Sequence, residues 1–458
     1  MNKQPLLLVL LSIVLYWLFA YQLVRTDYVN LVGLYVALFA LFYRLVSLLK
    51  NNIKLLTYVA FGFRAVFILA IPNLSQDFYR FIWDGRMLFA GFNPYLFTPE
   101  SFINSGVYPV AQAEALYAGM GTLNGSHFTN YPPINQLCFF IASVFAGTSI
   151  LGSVVVFKLL IIAADFGTFF YGSKLLKRLN IPQYTIFWYL LNPFIIIELT
   201  GNLHFEGVMI CFLIWSLYLL HCGKWKWAGV VLALSISVKL IPLIFLPLFF
   251  KWFLLNKTKS NPEQPNLFTG LWKLIGFYSI VLLTTFLLFA GFISNEFVNN
   301  YAKTVGLWFQ NFEFNASLYY IAREIGYSFR GYNEIGIIGK VTPVLVVLFL
   351  LIITFFRKNK TMVELISAML LVLSFYFFTA TTVHPWYIAT LLILSVFTKY
   401  KFPLVWSFVI ILSYLAYVNV DKADKSENLW VIAIEYIVVY AVFFWEVFFK
   451  KKAPKLEA

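Results

Sequence analysis

The sequence predicts an all-α protein that crosses a membrane many times, and three observations support this prediction. The 458 residues are 61% hydrophobic and 12% charged, whereas a soluble domain is nearer half apolar and about a quarter charged. The mean hydropathy is +0.81. The apolar residues form successive runs of roughly 20 residues, the length of a membrane-spanning helix. This composition excludes a soluble globular enzyme, a disordered chain and a coiled coil.

The predicted spans follow these apolar runs in order. The run 227–255 is interrupted by Lys239 and Pro242, so it predicts two short helices that form a hairpin. The short run 385–398 is also expected to span. About 14 spans result, which places both termini on one side of the membrane. The remaining predicted spans are 5–24, 31–49, 54–72, 149–171, 183–200, 204–222, 270–292, 334–356, 361–380, 402–420 and 429–449.

The positive charge predicts the orientation. The net charge is +14, and most Lys and Arg residues fall in connections on one side, which the positive-inside rule makes cytoplasmic. The opposite side holds two long outer loops, 73–148 and 294–333. Keeping the basic cluster 174–178 inside requires 134–147 to be a helix in the outer interface rather than a span. We therefore expect a single transmembrane domain, 1–458, with interfacial helices in its first outer loop.

A polar motif follows the third predicted span. The segment from Ser75 to Arg86 reads Ser-Gln-Asp-Phe-Tyr-Arg-Phe-Ile-Trp-Asp-Gly-Arg. In a helix, Asp77, Arg80 and Asp84 would share one face. Two carboxylates and a cation beside aromatic residues at a membrane boundary indicate a functional site. The alternative is a salt-bridged helix beside the membrane in which Arg80 serves both acids.

Four further polar clusters fall on the same predicted side. Each has a simpler interpretation, such as a lysine that extends to the headgroups, an aromatic belt or a hydrogen-bonded structural histidine. Their convergence on one leaflet nevertheless favours a site. The clusters are Tyr131 with Pro132 and Pro133, Glu198 with Asn202, His204 and Glu206, Lys239 at the hairpin tip, and His384 with Pro385, Trp386 and Tyr387.

A carboxylate beside several cations at a membrane interface suits group transfer from a lipid phosphate. The carboxylate can deprotonate an acceptor hydroxyl as a general base. The cations can hold and stabilise a phosphate leaving group. A sugar on a polyprenyl phosphate would place its phosphate at headgroup level and its tail along the spans. No dinucleotide-binding or Walker motif in the sequence predicts a nucleotide-binding domain.

The same motifs resemble those of a known family. The segment Asp77 to Arg86, followed by Gly91-Phe92-Asn93-Pro94-Tyr95, is similar to the first-loop motif of GT-C superfamily glycosyltransferases. It is most similar to that of bacterial polyprenyl-phosphate-mannose-dependent mannosyltransferases. The supporting matches are Tyr131-Pro132-Pro133, Asn192-Pro193 with 198–206, 237–242, Phe314-Asn315-Ala316-Ser317 and His384-Pro385-Trp386-Tyr387.

The resemblance implies an inverting transferase that uses a polyprenyl-phosphate sugar, with mannose expected, and a lipid-linked or other amphiphilic acceptor with a hydroxyl. It implies Asp77 as the catalytic base, with Asp84 as a second acid that orients the acceptor or binds a metal. Whether a divalent metal is used stays open. The expected phosphate-binding residues are Arg80, Arg86, Lys239 and His384. The expected sugar- or acceptor-binding residues are Tyr131, Glu198, Asn202, His204 and Glu206.

We expect the protein in the bacterial inner or plasma membrane, with its active site on the outer face, in contact with membrane lipids and with no nucleic acid. Two other functions stay open. A lipid or solute transporter also carries charges and broken helices at membrane depth. A glycan polymerase or ligase that uses lipid-diphosphate sugars also needs a cationic outer site. The absence of a visible sequence repeat, with the polar groups at one face, favours the transferase over the transporter.

Overall fold

The described parts of the chain are helical. The computed structural model describes residues 3–255, 267–310, 312–419 and 427–450. In these ranges every regular element is a helix, and the one β-type pairing is an isolated bridge between Phe314 and Thr382. The predicted class, an all-α multi-pass membrane protein, is confirmed by the length and apolar composition of these helices.

Seven helices of the described ranges are long and apolar enough to cross a membrane. Two helices, Pro193–Gly201 and Glu206–His221, are bent by 114° relative to each other. An eighth span results if they form one broken span. The predicted number of about 14 spans stays a prediction. The seven helices are Gln4–Tyr21, Tyr28–Leu49, Ile150–Arg178, Leu267–Phe292, Ile335–Phe356, Met362–Thr379 and Leu429–Phe449. The shorter apolar helices are Pro133–Ala146, Trp225–Ile236, Ile241–Leu255, Pro385–Val396 and Phe402–Val418.

The third predicted span, 54–72, ends earlier than its apolar run. The helix there is Ile53–Val66, and the chain then turns. The buried Lys158 of the neighbouring helix Ile150–Arg178 donates from Nζ to the carbonyl oxygens of Phe67, at 2.6 Å, and of Ala70. These bonds hold the turn that follows the helix end. A buried lysine thus fixes where the chain leaves this helix.

A buried ion pair also joins the same two helices. Arg64 Nε lies 2.6 Å from Asp165 Oδ2, and both side chains are fully buried. Arg64 Nη1 also donates to the carbonyl oxygens of Ala60 and Leu190, at 2.9 and 2.7 Å. Arg64 and Asp165, which the sequence places inside two apolar runs, are therefore paired with each other, which is how buried charges are normally retained.

The predicted span 183–200 is divided into short pieces. They are Gln183–Ile186, Phe187–Leu190 and Pro193–Gly201. Pro193 lacks a backbone N–H and so favours a helix start. The side chain of Asn192 caps the new helix by accepting a hydrogen bond from the backbone of Phe194 at 3.0 Å.

The 73–148 connection folds as four helices, Asp77–Phe89, Pro99–Asn104, Ala113–Gly125 and Pro133–Ala146. The last matches the bounds expected for the interfacial helix 134–147. An aromatic cluster packs these helices onto the rest of the protein, and in it the rings of Phe81 and Phe139 stack with centroids 4.7 Å apart. The 294–333 connection contains Asn295–Gln310 and Leu318–Arg330.

Candidate active site

A cavity of about 890 Å³ lies among these helices, and it brings together residues from distant parts of the sequence. Its wall includes the first helix of the 73–148 connection, the break in the bent helix pair and the turn between Trp225–Ile236 and Ile241–Leu255. Six residues proposed from the sequence line it: Asp77, Tyr131, His204, Glu206, Lys239 and His384.

Asp77 is the first residue of its helix, and the segment before it is held at several points. The Leu74 amide donates to Asn202 Oδ1 at 3.2 Å, and Arg25 Nη1 donates to the Leu74 carbonyl oxygen at 3.3 Å. Asn124 donates from Nδ2 to Asp77 Oδ1 at 3.1 Å. Asn202 is outside the cavity lining but positions the segment that presents the Asp77 carboxyl.

The charge of Asp77 depends on its surroundings. Burial raises the pKa of the Asp77 carboxyl above its ordinary value. The hydrogen bond from Asn124 and the positive charges of Lys239 and Arg25 oppose this rise in pKa, whereas the negative charge of Glu206 adds to it. A carboxyl with a raised pKa is a better proton acceptor, which is a usual property of a general base.

Lys239 and Glu206 form an ion pair in the cavity wall. Lys239 Nζ lies 2.8 Å from Glu206 Oε1, and Lys239 Nζ also lies 5.7 Å from the ring centroid of Tyr131. The Glu206 side chain is almost fully buried, and 24% of the Lys239 side chain is exposed. Much of the charge of Lys239 is therefore balanced locally by Glu206.

Two histidines stack on one indole ring. The ring centroid of Trp386 is 3.6 Å from that of His204 and 4.6 Å from that of His384. Burial, together with the positive charge of Lys239, lowers the pKa of His384 to about 3. His384 is therefore neutral near pH 7, so it would offer a phosphate a hydrogen bond and no net charge. Glu198 lies behind His204, at 3.7 Å from its Nε2.

Three residues of the polar motif have buried partners: Arg80, Asp84 and Arg86. None of them lines the cavity that the described residues form. Arg80 Nε lies 2.7 Å from Asp84 Oδ1, and Gln136 donates to Asp84 Oδ2 at 3.1 Å. Arg86 donates to two backbone carbonyl oxygens. Arg80 pairs with Asp84, four residues later in the helix. The salt-bridged alternative had Arg80 serve both acids, and this pair accounts for one of them. Its Nη1 also donates to the Asn124 carbonyl oxygen at 2.7 Å.

Sequence reasoning did not propose several residues that line the cavity, including Arg25, Asn124, Tyr417 and Glu427. Only Arg25 carries a signal in the sequence, because it is a cation on the predicted outer side, which is otherwise poor in Lys and Arg. Within the ranges that the structure describes, no group of three or more His, Cys, Asp or Glu residues could hold a metal ion.

Comparison with known families shows to which family the chain belongs. A family model described as "Alpha-(1->6)-mannopyranosyltransferase, N-terminal domain" matches residues 6–256, more than half of the chain. The chain belongs to this family. The matched region contains Asp77, Glu206 and Lys239 and ends before His384. The resemblance to bacterial mannosyltransferases of the GT-C type is thereby confirmed.

Two curated relatives support the same relationship. One is alpha-(1->6)-mannopyranosyltransferase A of Corynebacterium glutamicum, which is 27% identical over 208 residues, or 44% of this chain and 40% of the relative. The other is alpha-(1->6)-mannopyranosyltransferase A of Mycobacterium tuberculosis, which is 25% identical over 199 residues, or 43% of this chain and 36% of the relative. Each alignment thus spans less than half of the relative.

Proposed function

We propose that this protein is a glycosyltransferase that moves mannose from a polyprenyl-phosphate donor to a hydroxyl group of a lipid-linked or other amphiphilic acceptor. Membership of a mannosyltransferase family supports sugar transfer and favours mannose. The names of both relatives support the same reaction class. The donor, the acceptor and the position of the site at the outer membrane face are inferred from the chemistry of the cavity and from the charge distribution.

One observation supports this function most directly: Asp77 shares the cavity wall with two cations, Lys239 and Arg25. Asp77 accepts the proton of the acceptor hydroxyl, and the hydroxyl oxygen attacks C1 of the sugar. The bond from C1 to the phosphate oxygen breaks, and the lipid phosphate leaves with its electron pair. Because attack comes from the face opposite the leaving group, the configuration at C1 is inverted. The cations stabilise the charge on the departing phosphate.

The remaining walls suit a sugar. The cavity volume of about 890 Å³ lies within the common range for small-molecule sites, about 300–1,000 Å³. The wall offers the aromatic side chains of Tyr131 and Trp386 for packing and the imidazole rings of His204 and His384 for hydrogen bonds. The donor sugar lies between these groups and Asp77 in our proposal.

The deciding experiment is a transfer assay with purified, reconstituted protein. Synthetic polyprenyl-phosphate mannose, glucose and arabinose serve as donors, and octyl α-mannoside serves as the acceptor probe. We expect mannose transfer and a loss of about 10²-fold or more for Asp77→Asn, the usual contribution of a general base. Asp27→Asn is the matched control, because Asp27 caps the helix Tyr28–Leu49 and asparagine caps equally well. Full activity of the Asp77→Asn protein would reject Asp77 as the base.

The bent helix pair favours a transporter as the second candidate. Glu198, His204 and Glu206 lie at or beside the break between two helices that meet at 114°, and broken helices with polar groups also form transport sites. The same reconstituted vesicles separate the two functions. A transporter would move labelled polyprenyl-phosphate mannose between leaflets without acceptor and would form no glycoside, whereas the proposed transferase forms the glycoside only when acceptor is present.

A further inference from the structure

Arg25 is a cation in the cavity wall that the sequence motifs do not include. It lies in the short connection between the helices Gln4–Tyr21 and Tyr28–Leu49. Its guanidinium carbon lies 4.0 Å from the ring centroid of Tyr417, and its Nη1 donates to the carbonyl oxygen of Leu74 at 3.3 Å. The stacking and the hydrogen bond fix the plane of the guanidinium group at the edge of the cavity.

The two cavity cations differ in how their charges are balanced. Lys239 Nζ lies 2.8 Å from a carboxylate oxygen of Glu206, so this pair contributes little net charge to the cavity. Among the residues that the structure describes, no carboxylate oxygen lies within ion-pair distance of Arg25. Arg25 is therefore the cation of the described cavity wall that has no carboxylate within ion-pair distance.

We propose that Arg25 is the principal residue that binds the phosphate group of the lipid donor, ahead of Lys239, and this inference rests on the proposed function. A guanidinium group presents a planar set of N–H donors that matches a phosphate, whereas an ammonium group acts as a point charge. The stacking on Tyr417 orients those N–H groups before the lipid phosphate binds, which reduces the entropic cost of binding.

The position of Arg25 also links the phosphate site to the base. Leu74, whose carbonyl accepts the Arg25 bond, lies three residues before Asp77 in the same anchored segment. Arg25 and Asp77 both line the cavity. Phosphate bound at Arg25 therefore places the adjoining sugar carbon within the part of the cavity that Asp77 faces.

Binding of a simple lipid phosphate tests this assignment without requiring sugar transfer. Farnesyl phosphate and farnesol share the same tail, so their difference in affinity for the reconstituted protein measures the phosphate contact. We expect Arg25→Gln to weaken the binding of farnesyl phosphate by about tenfold to hundredfold, the range for a hydrogen bond to a charged group. The affinity for farnesol should stay unchanged. Arg25→Lys should weaken the binding of farnesyl phosphate less than Arg25→Gln does. Lys239→Gln should also weaken it less than Arg25→Gln does.

Arg330→Gln is the matched control, because Arg330 is an exposed arginine paired with Glu334 outside the cavity. Equal weakening of farnesyl phosphate and farnesol by Arg25→Gln would indicate a structural role and overturn the assignment. Unchanged affinity of Arg25→Gln for farnesyl phosphate, or a larger loss for Lys239→Gln, would also overturn it. A phosphate preference that depends on Arg25 in a protein that transfers no sugar would support the assignment and reject the proposed reaction.

Discussion

Gly85 allows the helix that begins at Asp77 to pack in direct backbone contact with a neighbour. It faces the helix Pro133–Ala146, and a Cβ atom added at Gly85 would lie 2.3 Å from the carbonyl oxygen of Phe139 and 2.8 Å from Ser143 Oγ. Ordinary contacts of this kind begin near 3.4 Å. An alanine at this position therefore requires the two helices to separate by roughly 1 Å, because the nearest obstacle is backbone that cannot rotate away.

The Gly85→Ala change should lower both stability and activity. Overpacking of this kind costs typically about 1–3 kcal/mol. The same shift would displace the carboxyl of Asp77 relative to the cavity, and a misplacement of about 1 Å can reduce a rate by about 10²-fold. In a helix without such a contact the same change has the opposite sign, because alanine is favoured over glycine by about 1 kcal/mol.

The apparent melting temperature of the detergent-solubilised protein, followed by size-exclusion chromatography after heating, measures the first effect. Mannose transfer to the acceptor probe measures the second. Gly62→Ala is the matched control, because Gly62 lies in the helix Ile53–Val66 and nothing lies within 4 Å of its added Cβ. If Gly85→Ala melts at or above the temperature of Gly62→Ala, the close helix contact and the reasoning based on it are wrong.

Two further changes test individual interactions. Asn124→Ala removes a hydrogen bond that lowers the pKa of Asp77. The proposed base accepts a proton only when it is deprotonated, so the acid limb of the kcat/KM profile for transfer should move to higher pH. Asn104→Ala, at an exposed position, should leave the acid limb in place. Asp165→Ala leaves Arg64 buried without its carboxylate, which should cost about 3–5 kcal/mol; recovery of folded protein at the normal melting temperature would contradict this.

Helix bounds were predictable where the ends carry local signals. The predicted span 361–380 appears as Met362–Thr379, and a capping box of Thr361 and Glu364 fixes its start next to the beginning of the apolar run. The predicted span 54–72 was too long. Its end depends on Lys158 of another helix, and apolar periodicity along one segment contains no information about a partner 90 or so residues away in sequence.

The candidate site shows the same division between local and distant information. Helical spacing places Asp77, Arg80 and Asp84 on one face, but it does not indicate which neighbour each side chain meets. In the structure Arg80 pairs with Asp84 one turn on, and Asp77 at the helix start is left to face the cavity. Sequence reasoning proposed that Arg86, like Arg80, binds phosphate. The backbone partners of Arg86 lie in connections between helices, and no sequence pattern indicates that these connections lie next to it.

Arg25 illustrates how an exception to a general bias can carry functional information. Positive residues collect on the cytoplasmic side, and Arg25 is a cation on the side that the sequence predicts to be the outer one. Tyr417 and the Leu74 carbonyl hold Arg25 in the cavity wall, and neither supplies a negative charge. A guanidinium group held in the cavity wall without a described carboxylate partner is available to pair with an anion from outside the chain, and the phosphate of a lipid donor is the anion that the proposed reaction provides.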